Sequence, residues 1–197
     1  MSLSKLERHP HGIDLGPMQS RIPDVLRTPS GKIELAPEPI VSDVPRLTKH
    51  LAKLAKRDTG MVLIGRRDLR SNNSWIHNLE RLVSGRPRCT LHINPVDAAR
   101  LGLRDAERVT VRSRVDSIKI PAELTDDILV GVVSIPHGWG HNDPAVSLRI
   151  AGDRPGVNSN RLTDEDVIDA PSGNAVLCGI PVAIARANVM ERTRSRT

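Results

Sequence analysis

The chain has no phenylalanine and no tyrosine, and its aromatic residues are Trp75 and Trp139 alone. Proteins that hold single-stranded nucleic acid stack bases on aromatic rings, so the composition argues against that role. Cysteine is as scarce. Cys89 and Cys178 lie far apart and form no CxxC pair, so neither a cysteine zinc knuckle nor a cysteine-held iron–sulfur cluster can be assembled from them. Both sit in apolar runs and are expected to be buried thiols, which suits a reducing compartment. No apolar stretch approaches the roughly 20 residues that span a bilayer. The opening MSLSKLERHPHG carries no apolar segment of a secretory signal. The expected location is therefore cytoplasmic, with no membrane partner.

What is present is a chain of 197 residues, enough for one domain with a core and a looser arm. Its 29 basic and 23 acidic residues leave a net charge of +6. A basic surface favours phosphates, nucleic acid or anionic lipid without choosing among them.

Residues 1–56 are punctuated by Pro10, Pro17, Pro23, Pro29, Pro37, Pro39 and Pro45 and show little periodicity. They read as an extended arm, with one short strand at Lys32–Leu35 after the turn Pro29-Ser30-Gly31. From Gly60 the pattern changes. Met61–Ile64 is a short apolar run ended by Gly65, a buried strand. Trp75, Ile76, Leu79, Leu82 and Val83 recur with helical spacing, which predicts a helix capped by Asn73 or Ser74 and ended near Gly85. Cys89, Leu91 and Ile93 alternate as a strand. Asn94-Pro95-Val96-Asp97 opens a short helix that Gly102 ends. Strands follow around Val109–Val111, Ile118–Leu124, Val130–Ile135 and Val182–Ala185. Many short strands with two early helices predict a mainly β fold, a mixed barrel over 57–190. The basic residues 191–197 read as a frayed tail.

Three polar stretches carry chemistry. The first follows the strand ended by Gly65: Arg66, Arg67 and Arg70 offer forked donors for phosphate oxygens, and Ser71, Asn73, Ser74, His77 and Asn78 add neutral donors and acceptors. Gly65 lets a ligand approach the backbone, and the helix start after Asn73 adds free N–H groups. Arg66 is the leading phosphate contact, Arg67 its competitor, and loss of Arg66 from an exposed loop should leave the barrel folded. The second stretch is Pro136–Asn142, with His137 and Gly138. His137 and His141 are four apart, but the glycines between them break a helical pair and no third ligand is evident, so no metal site is assigned. The third is Gly156–Thr163, where Asn158 and Asn160 can pair with a heterocycle edge. No catalytic residue is assigned.

The order of these stretches resembles the C-terminal domain of the molybdopterin oxidoreductases, the group of formate dehydrogenases, nitrate reductases and dimethyl sulfoxide reductases. The resemblance lies in LIGRRDLRSNNSWIHN (63–78), INPVDAARLGLRDAERVTVRS (93–113), ILVGVVSIPHGWGH (128–141) and NSNRLT (158–163), with TPSGKIEL (28–35) similar to the segment before that domain. It implies a double-psi β-barrel that grips the molybdopterin guanine dinucleotide cofactor. By it, Gly65 and Arg66 match the strand-end Gly-Arg; Ser71, Asn73, Ser74, His77 and Asn78 match the polar run beside the cofactor; Asn160 matches the asparagine before Leu-x-Thr. The family's cluster-binding cysteines and the region that ligates molybdenum have no counterpart here, so the metal is expected to be ligated outside this chain. The chain reads as the end of a longer enzyme, oxidoreductase only together with large domains that are encoded separately, with nucleic acid disfavoured as a partner. The alternative is a non-catalytic basic β-barrel that binds nucleic acid or a protein.

Overall fold

The computed structural model describes residues 1–55, 60–145 and 147–187. The chain divides into two compact units, Met1–Arg46 and Leu47–Thr197. The first unit holds short helices, α1 (Leu3–Glu7) and α2 (Glu38–Val41), and no buried side chain of its own. Extended chain was expected here. Proline does not forbid helix at a first turn, and Pro37 stands as the cap of α2. Helix α3 (Val44–Ala55) runs across the division. The short strand expected at Lys32–Leu35 is absent: Gly31 turns the chain with φ 63, and the Thr28 hydroxyl donates to the Lys32 carbonyl at 2.7 Å. The carbonyl that a strand partner would use is thereby taken. Lys56 and the basic tail lie outside the described residues.

The second unit is built on a closed six-stranded barrel. Its strands are β1 (Met61–Arg66), β2 (Leu91–Ile93), β3 (Arg108–Arg112), β4 (Ser117–Leu124), β5 (Val132–Pro136) and β6 (Ile180–Arg186). Around the barrel they run β1-β5-β2-β4-β3-β6, with β6 returning to β1. The pairs β1·β5 and β2·β4 are parallel, the remaining pairs antiparallel. Closure gives each of these strands a neighbour on both sides.

Inward and outward residues alternate along most strands, while β5 buries Val133, Ser134, Ile135 and Pro136 in succession. Met61 and Leu63, Leu91 and Ile93, Val109 and Val111, Ile118, Ile120 and Ala122, Val133 and Ile135, and Ile180, Val182 and Ile184 all face inward and are buried. With no Phe or Tyr available, this interior is filled by Val, Ile and Leu. Branched side chains of that size suit both the pleat and the narrow interior of a small barrel. Short helices cover the ends: α4 (Glu80–Val83), α5 (Pro95–Leu101), α6 (Arg149–Asp153), and a 3-10 turn at Ser159–Leu162. Among the described residues no helix is long and apolar enough to cross a membrane.

The helix read at Asn94-Pro95 forms as expected. The Asn94 side chain accepts from the Val96 N–H at 3.0 Å, and Gly102 ends the helix in the left-handed region. Its Asp97 is buried, takes the Gly131 N–H at 2.6 Å, and pairs with Arg100 at 2.9 Å. The helix read over 75–83 shrinks to α4, and neither Asn73 nor Ser74 caps it. Asn72 and Asn73 have φ of 40 and 65, which no helix continues. The loop buries His77 instead, and Trp75 is left 82% exposed.

At the end of β1, Arg66 folds inward. Its guanidinium donates to the Ser134 carbonyl on β5 (2.8 Å), the Thr90 carbonyl and hydroxyl before β2 (3.1 Å each), and the Arg88 carbonyl (3.3 Å). One planar fork thus joins three segments that are distant in sequence. Burial pushes the Arg66 guanidinium below its ordinary pKa, with Glu123 opposing the shift. The expectation that Arg66 is an exposed loop side chain is overturned by these bonds.

Two outcomes follow for stability in urea. Arg66→Ala leaves buried carbonyls without donors and should cost about 2–4 kcal/mol, since a stranded buried partner costs ~1–3 kcal/mol. Asp97→Ala strands the Gly131 N–H and should cost about 2–3 kcal/mol. A change below about 0.5 kcal/mol, the usual surface value, in either variant would show that the bond carries no weight.

Candidate functional site

The loops that leave β1 and β5 meet at one end of the barrel. The parallel register brings Gly65 opposite Ile135 and Arg66 opposite Pro136, so the 67–79 and 137–142 segments start side by side. They stay together through three contacts. The first is backbone on backbone: a Cβ on Gly138 would lie 2.2 Å from the Asn73 carbonyl oxygen, and Gly138 has φ 87. Only glycine meets both conditions. The second is polar: His77 Nδ1 and His141 Nε2 are 2.7 Å apart, joined by one hydrogen bond between the rings. The third is aromatic: His77 lies against Trp139 with ring centroids 4.1 Å apart. The third polar stretch joins through Gly140, where a Cβ would lie 2.6 Å from that of Asn158.

The ends of β1 and β5, with segments 159–163 and 177–180, line a cleft of about 250 Å³. Of the residues picked out from sequence, Gly65, Arg66, Arg67, His137 and Asn160 line it. Arg67 is exposed there and makes no hydrogen bond to the described residues, in contrast to the half-buried Arg66. His137 Nε2 is buried without a hydrogen-bond partner. Burial lowers the His137 pKa, and the Arg67 charge lowers it further, so the ring is neutral at neutral pH. At Gly65 a Cβ would meet nothing nearer than Cys178 Sγ at 3.8 Å. Packing therefore does not demand glycine at 65.

The other sequence candidates stand behind the cleft. Ser71 is buried and donates to the Asp68 carbonyl at 3.0 Å. Asn73 presents its backbone to Gly138, and Ser74 lies beside it. His77 is 1% exposed, with Nε2 lacking a partner. Burial lowers its pKa first and the neighbouring His141 second. Asn78 takes the Ile150 and Ala151 N–H groups at 3.0 and 3.2 Å, and so fixes the start of α6. Asn158 caps the 3-10 turn by accepting from the Asn160 N–H at 3.0 Å. Arg70 reaches the Arg81 carbonyl at 2.8 Å, away from the cleft.

Sequence reasoning missed Ser159, Thr163, Leu177 and Cys178, which also line the cleft. Cys178 was expected to be buried; it is exposed at the cleft, where its sulfur accepts the Gly65 N–H at 3.4 Å. Only Cys89 is the buried thiol. A signal for Cys178 lay in its place just before Gly179 and the last strand, which pairs with β1. The expected run of free N–H groups at a helix start after Asn73 is not formed, since α4 begins at Glu80. The cleft thus offers a free cation, a neutral imidazole with an unused nitrogen, an exposed amide at Asn160 and open backbone at Gly65.

Residues 61–176 match the molydopterin dinucleotide binding domain. A tetrathionate reductase subunit of Salmonella typhimurium is 27% identical over 55% of this chain and 12% of its own length. The molybdopterin-containing subunit of the arsenate respiratory reductase of Chrysiogenes arsenatis is 32% identical over 36% of this chain and 9% of its own. The chain therefore spans only 12% and 9% of those relatives. Acetylene hydratase from Pelobacter acetylenicus shares the fold with a TM-score of 0.58 and 23% identity, over 81% of this chain and 24% of that one. With the family match covering residues 61–176, from the first strand of the barrel through its fifth and beyond, the chain belongs to the molydopterin dinucleotide binding domain family.

Proposed function

We propose that the cleft at the end of β1 holds the guanine dinucleotide form of the molybdopterin cofactor, with its metal ligated by residues outside this chain. The observation that carries the reading is the pairing of a free Arg67 with the orphaned Nε2 of His137 in one cleft. A buried polar atom without a partner is uncommon and calls for an explanation; a ligand heteroatom supplies one. The donor set fits the group. Arg67 suits a phosphate oxygen, Asn160 suits a heterocycle edge, neutral His137 can donate or accept, and Gly65 leaves room for close approach.

When bound, the cofactor carries the oxidation–reduction chemistry, and the protein supplies grip, orientation and electrostatics. Arg67 offsets phosphate charge where the cleft is partly desolvated. Arg66 does not need to touch the ligand: it holds the strand end that presents Gly65 and Arg67. His77, His141 and Trp139 hold the two loops at a fixed distance. We take the barrel domain to run over 57–190, after an arm at 1–56. The small share of each relative that this chain spans supports a role together with further domains.

Mass spectrometry of small molecules carried through purification should find the pterin dinucleotide with the full chain. Arg67→Ala should weaken its binding by about 1.5–3 kcal/mol, the range for hydrogen bonds to a charged group, while melting stays near that of the parent. Arg67→Lys should recover part of the loss, because a point charge cannot form a fork. If Arg67→Ala and Asn160→Ala both titrate like the parent, the cleft is not the cofactor site.

Acid should loosen the same loops. His77, His92 and His137 all have folded pKa values lowered first by burial. The unfolded chain then binds more protons than the folded one below the ordinary pKa of about 6.5. The stabilisation is fully present above that pH and is lost as pH falls through it toward the folded values. Urea midpoints at pH 7.5 and 5.5 should differ, and His77→Gln should narrow the gap. Equal midpoints in the parent would contradict the lowered pKa values of His77, His92 and His137.

A further inference from the structure

One wall of the cleft hangs from Leu162. That side chain is fully buried, while Ser159, Asn160 and Thr163 around it line the cleft. The wall is a 3-10 turn of four residues, Ser159–Leu162, a form whose hydrogen bonds are poorer than those of an α-helix. Its entry is held: the Val157 N–H donates to Cys89 Sγ at 3.3 Å, and Gly140 abuts Asn158. A single buried side chain beyond that point is a pivot. It fixes where the turn sits without fixing how the turn is rotated. Two charged side chains that flank Leu162, Arg161 and Asp164, supply the missing hold.

Both reach the turn between β3 and β4. Arg161 donates to Asp116 Oδ2 at 2.7 Å. Asp164 accepts a paired fork from Arg114, which holds its carboxyl below the usual carboxylate range. Arg114 also reaches Asp166 at 3.1 Å. The pattern is reciprocal. The hairpin turn offers an arginine and then an aspartate, the wall offers an arginine and then an aspartate, and the two pairs cross. Exchanging partners would set arginine against arginine and aspartate against aspartate, so the charges accept one arrangement. The hairpin is a firm base for them. Ser113 Oγ accepts the Val115 and Asp116 N–H groups at 3.2 and 3.3 Å, and the Ser117 N–H donates to Asp116 Oδ1 at 2.6 Å. A carboxylate already fixed by its own backbone loses little freedom on pairing, which lifts this network above most surface ion pairs. Arg114, Asp116, Arg161 and Asp164 all stand outside the cleft lining.

We propose that these four charges are positioning residues of the cleft: two crossed ion pairs, outside it, set the angle at which Asn160 and Thr163 face a bound ligand. The inference rests on the cofactor reading for what is bound, and on the crossed pairs alone for the hold on the wall. The test uses the full chain and Cys178, the exposed thiol in the same cleft, Cys89 being buried. Its rate of labelling by N-ethylmaleimide reports on the wall without any cofactor. Arg161→Gln and Asp116→Asn should each raise that rate about threefold, the scale of one exposed ion pair, with melting temperatures near the parent's. The double variant should label no faster than either single one, because one pair is lost in each case. Arg161→Lys keeps a charge for the single oxygen Oδ2 and should label near the parent rate. Added salt should speed labelling of the parent more than that of Arg161→Gln. Pterin dinucleotide retained through purification, counted per chain, should fall in Arg161→Gln and recover in Arg161→Lys. Single variants that label like the parent overturn the proposal, as do single effects that add in the double variant. If the labelling rates follow the expected pattern while the retained dinucleotide does not, the clamp stands and the cofactor reading of the cleft falls.

Discussion

The working end of this barrel depends on backbone touching backbone at Gly138. Any side chain there would collide with the Asn73 carbonyl, and the loops after β1 and β5 would part. Their approach is what lets His77 reach His141 and lie on Trp139. It is also what sets His137 beside Arg67 in the cleft. A close backbone contact transmits position more firmly than long side chains do, because it has no rotamers to lose. The site inherits the stiffness of the sheet it sits on.

Two adjacent arginines divide the labour of that end. Both border the cleft, but their guanidinium groups are used differently. Arg66 is turned against β5 and the lead into β2, where carbonyls compensate the cost of burying its charge. Arg67 stays in the cleft with its donors unused. The glycine-rich turn after β5 places Trp139 in a second cleft and His137, two residues before it across Gly138, in the first. One short segment therefore serves both hollows.

Much of the fold was legible because its elements obey local rules. The inward positions of β3 and β4 alternate without exception, and Asn94-Pro95 with Gly102 marks α5 by cap chemistry alone. The 75–83 helix was misread because periodic apolar residues are only a helix signal when a core receives them. Here Trp75 and Leu79 face solvent, and the residue buried ahead of α4, His77, is polar; of the apolar set Val83 is the buried one. The arm was misread for a related reason: proline spacing says where helices cannot continue, not that none can start.

The sequence by itself determined the barrel, the three polar stretches and their membership of one family, since each is written in residues close together along the chain. Strand period, caps and glycine placement act over a few residues and need no knowledge of the rest. Only the tertiary structure decided which polar residues face the cleft. It turned Arg66 inward, left Arg67 free, exposed Cys178 and set Asn78 to hold α6. Those outcomes depend on partners tens of residues away, and a side chain's role follows from which of its donors the fold has already used.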